Sequence, residues 1–332
     1  MAKIVLGLAS SHSTMAHAPA HLWDVHARGF DMNQKDLVGR DGKLYDYAGL
    51  LAQAGNRYAD LARPEQFAAR HERLQNAIDQ LAGIYAEVRP DVAIIIGEDQ
   101  HEVFQDDNMP ALLVYWGKDI INIPRETSTR LPPEMQESMR AAAWGYGTET
   151  RTWPVAADLG KHIIDSLIDA EFDVAQARQI TRPCGVGHAF GFVYKRIMHG
   201  AVPPHVPVMQ NTFYPPNQMT PRRCVRLGRA LRNAIESWPE DLRVAVIASG
   251  GLSHFVLNEE LDQTVLDALA RNDLEALAGL PRPLMNSGSS EILNWVTAAG
   301  MLEGLSMRLI DYVPCYRSPA GTGVGMGFAA WQ

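Results

Sequence analysis

The sequence predicts an α/β fold: a central mixed β-sheet flanked by helices on both faces, in a single-domain sandwich with an inserted lid-like segment. Three observations lead there. Short apolar runs with the length of buried strands alternate with longer stretches of helical period along the 332 residues. The composition, 46% hydrophobic and 20% charged, is ample for a packed core and leaves no room for a disordered chain. No linker divides the chain, so residues 1–332 read as one catalytic-sized α/β unit.

Taken in order, the first strand is predicted over Lys3–Ala9. The stretch from His21 to Asn56 is rich in Asp, Asn and Gly, with a turn signal at Asp41-Gly42 and a short strand at Lys43–Tyr47; about 21–60 is read as an insertion near the site. A helix follows over Pro64–Val88, where Leu74, Ile78, Leu81 and Tyr85 share one face and Arg89-Pro90 ends it. Further strands are predicted at Asp91–Gly97, Ala111–Tyr115, Val208–Thr212 and Arg243–Ser249, with an edge segment at Ala175–Ile180. Helices are predicted over Pro221–Trp238, Leu261–Ala278 and Ser289–Met301, and the Gly321–Gly325 run reads as a tight turn and terminal strand.

Charge and cysteine usage exclude several function classes. A net charge of -8 without clustered Lys and Arg argues against a nucleic-acid surface; the Arg222-Arg223 pair reads as a solvated face. The widely spaced Cys184, Cys224 and Cys315 make neither a metal knuckle nor a disulfide framework, and a reducing cytoplasm is expected. The apolar run near the N-terminus is too short for a signal peptide or a membrane span.

The informative residues are polar ones just beyond strand ends, where open α/β sheets gather ligands. Ser10-Ser11-His12-Ser13 follows the first strand, Glu98-Asp99-Gln100-His101-Glu102 the second, and Gly250-Gly251-Leu252-Ser253-His254 the strand ending at Ser249. Cys184-Gly185-Val186-Gly187-His188 follows the edge segment. A lone histidine after a strand is usually a hydrogen-bonded loop residue; four in analogous places offer two to four imidazoles in one crevice, the ligand type that iron(II), zinc and copper sites share. A carboxylate would complete a facial triad, with Glu98, Glu102, Glu259, Glu260 and Glu291 as candidates that spacing does not separate. Glu291 has a capping-box alternative, and Glu259 and Glu260 could equally be first-turn helix acids.

At this point the chain resembles the class III extradiol dioxygenases, of the protocatechuate 4,5-dioxygenase and dihydroxyphenylpropionate dioxygenase type. The resemblance rests on Ser11-His12, Gly187-His188, Gly250-Gly251-Leu252-Ser253-His254, Ser290-Glu291-Ile292-Leu293-Asn294-Trp295 and Pro319-Ala320-Gly321-Thr322-Gly323-Val324-Gly325, with Gly-Gly-Leu-Ser-His the most specific element. It implies that His12 and Glu291 are two of three iron(II) ligands, and that His188 and His254 line the pocket as acid/base residues. The third ligand is a departure. Relatives carry Asp-His after the second strand, whereas anchoring on Asp99 and Phe104 here puts Gln100 at the ligand position and His101 one residue late. Because an amide is a poor iron ligand, a local backbone adjustment is expected to bring His101 to the metal. A second departure is Ala189 after His188, where relatives have Gly.

The resemblance implies Fe(II) as cofactor and a catechol-type aromatic plus O₂ as substrates. Neutral His254 would accept a proton from the second hydroxyl, its unperturbed pKa of about 6.5 suiting that task. Ser289, Gln100 and Phe213 are candidates for substrate contact, as are Arg57, Arg125 and Arg317 for a substrate carboxylate and Trp23, Tyr45 and Tyr47 for ring-stacking walls. A homodimer or higher homo-oligomer is expected by analogy with relatives. Three rivals remain: a redox-inert zinc hydrolase or lyase on the same fold, a catalytically decayed binding protein, and a serine hydrolase, which lacks a Gly-x-Ser-x-Gly elbow.

Overall fold

A computed structural model describes residues 1–124, 133–143, 147–181 and 185–332; Arg125 and Cys184 lie outside the described residues. Eight strands form one mixed sheet: β1 (Lys3–Ser10), β2 (Val92–Glu98), β3 (Leu112–Tyr115), β4 (Ala175–Ala177), β5 (His205–Gln210), β6 (Arg243–Ser249), β7 (Met307–Tyr316) and β8 (Gly323–Trp331). Their order is β7-β8-β1-β6-β2-β5-β3-β4. The central four, β1, β6, β2 and β5, run parallel, while β8 joins β1, and β3 joins β5, antiparallel.

The alternation of side chains along these strands sorts two cores. Val92, Ile94 and Ile96 of β2, with Val244 and Val246 of β6, pack with Leu227 and Leu231 of the Pro221–Glu236 helix and Trp295 and Val296 of the Ile292–Met301 helix. Ala93 and Ile95, with Ala245 and Ile247, face the other way and pack with Leu74, Ile78 and Leu81 of the Pro64–Val88 helix and with Phe190. Each such side chain contributes roughly 1.5–3 kcal/mol on burial. Covering both faces explains why these strands read as continuous apolar runs. The helices beginning at Pro221 and Ile292 cross closely, since a Cβ on Gly228 would stand 2.1 Å from the Thr297 carbonyl oxygen. That contact fixes the Ile292–Met301 helix, which Glu291 immediately precedes.

Parallel pairing brings four strand ends together. Ser10 aligns with Ser249, Ala248 with Ile96, and Glu98 with Gln210, so β1, β6, β2 and β5 deliver their last residues to one edge of the sheet.

The expected helix over Leu261–Ala278 is two helices, Glu259–Ala270 and Leu274–Ala278. Asn272 takes φ 54° and the Asp273 side chain accepts from the Ala276 N–H at 2.9 Å, capping a new start. Strand β5 begins at His205 and stops before Asn211, whose side chain accepts from the Tyr214 N–H and donates to the Tyr214 carbonyl, closing a turn. Strand β7, the Asp119–Asn122/Arg151–Pro154 ribbon and the Ala157–Asp169 helix were not anticipated.

The insertion folds as a short helix (Trp23–Gly29), a two-residue ladder (Leu37–Val38 with Leu44–Tyr45) and a helix (Tyr47–Ala54) capped by Asp46. It is fastened to the sheet by a buried bidentate pair, Arg317 donating to Asp31 at 2.6 and 2.7 Å, and by Thr322 donating to Asp31 at 2.6 Å. Arg317 is thereby committed to the insertion, and the Arg57 guanidinium lies over the Tyr58 ring. Among the described residues no helix is long and apolar enough to cross a membrane.

Candidate active site

At the shared edge the polar residues converge. His12 follows β1, Glu98 ends β2, His188 opens the helical turn His188–Phe192, and Glu291 precedes the Ile292–Met301 helix. His12 Nε2 lies 3.1 Å from Glu98 Oε1 and 3.6 Å from Glu291 Oε2; His188 Nε2 lies 3.5 Å from Glu98 Oε1. His254 Nε2 lies 3.2 Å from Glu291 Oε1, which also accepts from Gln100 Nε2 at 2.9 Å. His12, Glu98 and Glu291 are buried.

Hydrogen bonds fix which nitrogen of each imidazole faces this cluster. The Ser249 hydroxyl donates to the Ala189 carbonyl at 2.7 Å, so it can only accept from His12 Nδ1–H, 2.8 Å away. His12 Nδ1 therefore carries a hydrogen, and Nε2 points at Glu98. His254 Nδ1 donates to the Leu252 carbonyl at 2.7 Å, leaving Nε2 toward Glu291. His188 Nδ1 is 2.9 Å from Glu102 Oε2, and the same carboxylate accepts the His188 backbone N–H. Each ring thus turns Nε2 inward and has its outer nitrogen oriented by a partner, the arrangement that presents imidazoles to a metal or a reacting group.

Two buried atoms in the cluster, His12 Nε2 and Glu98 Oε1, have no hydrogen-bond partner among the described residues. A ring nitrogen and a carboxylate oxygen facing each other at 3.1 Å in a buried site need a proton or a cation between them. Ligand atoms bind a divalent transition ion at ~2.0–2.2 Å, so neighbours on one ion stand roughly 3–3.5 Å from each other. The separations around His12 Nε2 have that size, and His12, Glu98 and His188 together can surround an ion. Among the described residues the donor set is imidazoles and carboxylates, which suits iron(II), manganese(II) or zinc(II).

Burial works against positive charge on His188, but the charge and hydrogen bond of Glu102, with Glu98 and Glu291 beyond, outweigh it and raise the pKa to about 10. His254 is likewise raised: burial opposes, and Glu291 with the Leu252 carbonyl prevails. Glu291 is held below the usual carboxylate range, burial being outweighed by His254, His12 and the Gly251 N–H, which donates at 2.6 Å.

An amide chain supports the cluster from below. Thr297 donates to Gln210 Oε1 at 2.7 Å, Gln210 Nε2 donates to Asn294 Oδ1 at 2.8 Å, and Asn294 Nδ2 donates to Glu98 Oε2 at 2.7 Å and to the Ser249 carbonyl at 2.9 Å. Every member is buried, so the direction of each amide is determined. The signal for Asn294 was available as the residue three beyond Glu291 on the same helix, yet nothing in the sequence set it apart from core packing.

His101, expected in the metal shell, has its described contacts elsewhere. Its ring stacks on Tyr214 with centroids 3.7 Å apart, and its Nε2 is 3.3 Å from Asp106, outside the inner cluster. The physical reason is Asp99, whose carboxylate accepts the backbone N–H groups of Glu102, Val103 and Phe104 at 3.2, 2.8 and 3.1 Å. With that loop fixed and His101 at φ 56°, Gln100 points inward and His101 outward. His101, Tyr214, Phe213, Phe255 and His254 form a row of ring contacts, and Phe30 of the insertion touches Phe255. Phe213 therefore sits in an aromatic wall; Phe30, Phe255 and Tyr214 in that wall were not anticipated.

Ser289 lies beside His254 but uses its hydroxyl on that residue's backbone, accepting from its N–H and donating to its carbonyl, both at 3.0 Å. Ser253 is a brace: its hydroxyl donates to Asp262 at 2.8 Å rather than to any histidine, which removes the serine-hydrolase arrangement. Gly288 packs against the His254 ring so closely that a Cβ there would stand 2.0 Å from Cδ2. A separate cavity of about 770 Å³, lined by His17, Tyr194, Lys195 and Arg196 among others, contains none of the cluster residues.

Two curated relatives are similar over part of the chain. Gallate dioxygenase of Pseudomonas putida is 35% identical over 186 residues, 51% of this chain and 51% of that protein. The 2,3-dihydroxyphenylpropionate/2,3-dihydroxicinnamic acid 1,2-dioxygenase of Comamonas testosteroni is 30% identical over 145 residues, 44% of this chain and 43% of that one. The chain thus spans about half the length of the curated relatives it matches, or less. A crystal structure of the uncharacterized protein JW3007 from Escherichia coli K12 overlaps 76% of this chain and 91% of that one, with 11% identity and a TM-score of 0.45. Residues 65–326, which include Glu98, His188, His254 and Glu291, match the model of the catalytic LigB subunit of aromatic ring-opening dioxygenase, and the chain belongs to that family.

Proposed function

We propose that this chain is an iron(II)-dependent extradiol dioxygenase that opens a catechol-type ring with O₂, adding both oxygen atoms as the carbon–carbon bond beside the diol breaks. The observation that carries the reading is the inward-facing pair of His12 Nε2 and Glu98 Oε1, buried and without hydrogen-bond partners among the described residues, in a family of ring-opening dioxygenases. His12 and Glu291 would hold the metal. Iron(II), when bound, supplies the electronic coupling between the aromatic diol and O₂ that neither has alone.

The chain's own residues manage protons and position. His254 can exchange a proton only at Nε2, because Nδ1 is committed to the Leu252 carbonyl, and that atom faces the cluster. It is placed to take the proton of a substrate hydroxyl and to return it to the ring-opened product. His188, its outer nitrogen held by Glu102, whose charge raises its pKa, can donate a proton to developing negative charge on oxygen. The wall of Phe213, Phe255 and Tyr214, extended by Phe30, offers a flat apolar surface for an aromatic ring.

The test is metal content and O₂ uptake together, on protein purified without air and offered a catechol panel headed by gallate and 2,3-dihydroxyphenylpropionate. Iron-dependent O₂ uptake with new visible absorption from a ring-opened product, lost in His12→Ala and Glu291→Ala, supports the reading. Tight zinc with no O₂ uptake moves it to hydrolysis or lyase chemistry, and absence of any metal affinity ends it.

A further inference from the structure

We propose that Glu98 is itself a metal ligand, a carboxylate filling the vertex that family members give to the imidazole following their second strand. The inference rests on the reading of the site as a divalent-metal centre and concerns which atoms make it. Three observations of this chain carry it. Gln100, which the resemblance sets at the position of that imidazole, spends its amide on Glu291 and so offers no donor to an ion. Glu98 ends the same strand, is 0% exposed, and aims Oε1 at His12 Nε2 and His188 Nε2, 3.1 and 3.5 Å away. Its other oxygen is anchored by Asn294 at 2.7 Å, so the free oxygen has a fixed direction, as an outer partner gives a metal ligand.

Among the described residues Glu98 Oε1 makes no hydrogen bond and faces the His12 and His188 ring nitrogens, a costly setting for a buried carboxylate unless a proton or a cation lies there. Opposite a divalent ion the same oxygen is favourable. Glu98 groups with His12 and His188 closely enough to share one ion, and added to Glu291 of the proposed function it raises the carboxylates from one to two. That shift toward oxygen donors favours manganese(II) or iron(II) over zinc(II) relative to a two-imidazole site.

The experiment is titration of the purified apo-protein with cobalt(II), read by its visible absorption and by the melting temperature, neither of which needs turnover. Wild type is expected to bind one equivalent, and Glu98→Gln to lose more than the ~10–100-fold in affinity that loss of an outer partner costs. Glu98→Gln/Gln100→His is expected to recover most of that affinity with an altered spectrum, because an imidazole then enters the vacated vertex. Gln100→His alone, which leaves Glu98 in place and does not depend on Glu98→Gln folding, is expected to gain under about threefold; a gain above tenfold would mean the vertex was empty and overturn the proposal. Equal affinity and spectrum in wild type and Glu98→Gln would overturn it too, with the metal centre itself intact. Failure of wild type to bind cobalt(II) would instead overturn the metal-centre reading beneath it.

Discussion

Replacing Gly288 by alanine tests whether the exact seat of His254 matters, because the new methyl would enter the ring's space. Its Cβ would lie 2.0 Å from His254 Cδ2 and 2.4 Å from Nε2. Ordinary carbon contacts begin near ~3.4 Å, so the ring must retreat by roughly 1.4 Å. The ring cannot simply slide, since Nδ1 is held by the Leu252 carbonyl at 2.7 Å and the backbone is clasped by the Ser289 hydroxyl. Retreat breaks the 3.2 Å contact of Nε2 with Glu291. Overpacking of this kind costs about 1–3 kcal/mol, and misplacing a reacting group by about 1 Å costs on the order of 10²-fold in rate. Gly288→Ala should therefore lower kcat/KM for ring opening about 100-fold and lower the urea midpoint modestly, measured by O₂ consumption and by equilibrium denaturation. The clash has its own signature in a double-mutant cycle: Gly288→Ala should be harmless in a His254→Ala background, where the ring is gone. Unchanged kcat/KM in Gly288→Ala, or equal damage with and without the His254 ring, would refute the argument.

Asn294→Leu removes the donors to Glu98 and the Ser249 carbonyl and strands Gln210, so a loss of about 3–5 kcal/mol is expected in chemical denaturation, and near-wild-type stability would show the amide chain to be dispensable. Asp31→Ala leaves Arg317 buried without its bidentate partner; about 3–5 kcal/mol should be lost, with the insertion becoming the first site cut in limited proteolysis. Burial lowers the pKa of His205 to about 4 from an ordinary 6.5, its Nε2 accepting the Tyr194 hydroxyl at 2.7 Å. A depressed histidine contributes stability that is present above pH 6.5 and lost as pH falls toward 4, here roughly 3 kcal/mol, and His205→Gln should flatten that part of a stability-versus-pH curve. Ser253→Ala should weaken the fold through the lost Asp262 bond while ring-opening activity per folded molecule persists; abolished chemistry in folded protein would restore a nucleophilic role for that hydroxyl.

Much of the fold was legible because its signals are local. The Pro64–Val88 helix carries proline at its start, an apolar stripe and a terminating Arg89-Pro90, and it forms over that range. Strand β6 likewise matches its apolar run, Arg243–Ser249. Strand β7 was not legible: Leu309 and its neighbours face solvent on one side, and the partner that orders them is a strand closing the chain. The site was partly legible by the same measure. His12, His188, His254 and Glu291 stand at strand or helix ends, where position along the chain predicts position in space. The amide chain behind Glu98 was not, since Thr297, Gln210 and Asn294 meet across elements far apart in sequence and each has an ordinary core alternative.

The displaced histidine shows where sequence spacing stops being a guide. One residue in a loop is a small offset, and chemistry alone favoured an imidazole over an amide at the metal. The loop is not free to choose, because Asp99 accepts three successive N–H groups, and sliding His101 inward would break bonds to Glu102, Val103 and Phe104. Buried, beside Glu102, the Asp99 carboxyl has a pKa raised to about 6, and those three bonds pull the other way, keeping it from rising further. Each bond to a charged acceptor contributes about 1.5–3 kcal/mol, so the rearrangement would forfeit more than one imidazole could return. The loop instead spends His101 on the aromatic wall, stacked on Tyr214, and turns Gln100 inward to Glu291. Glu98, one residue before Asp99, ends the strand with Oε1 3.1 Å from His12 Nε2, on the side where Gln100 has turned to Glu291.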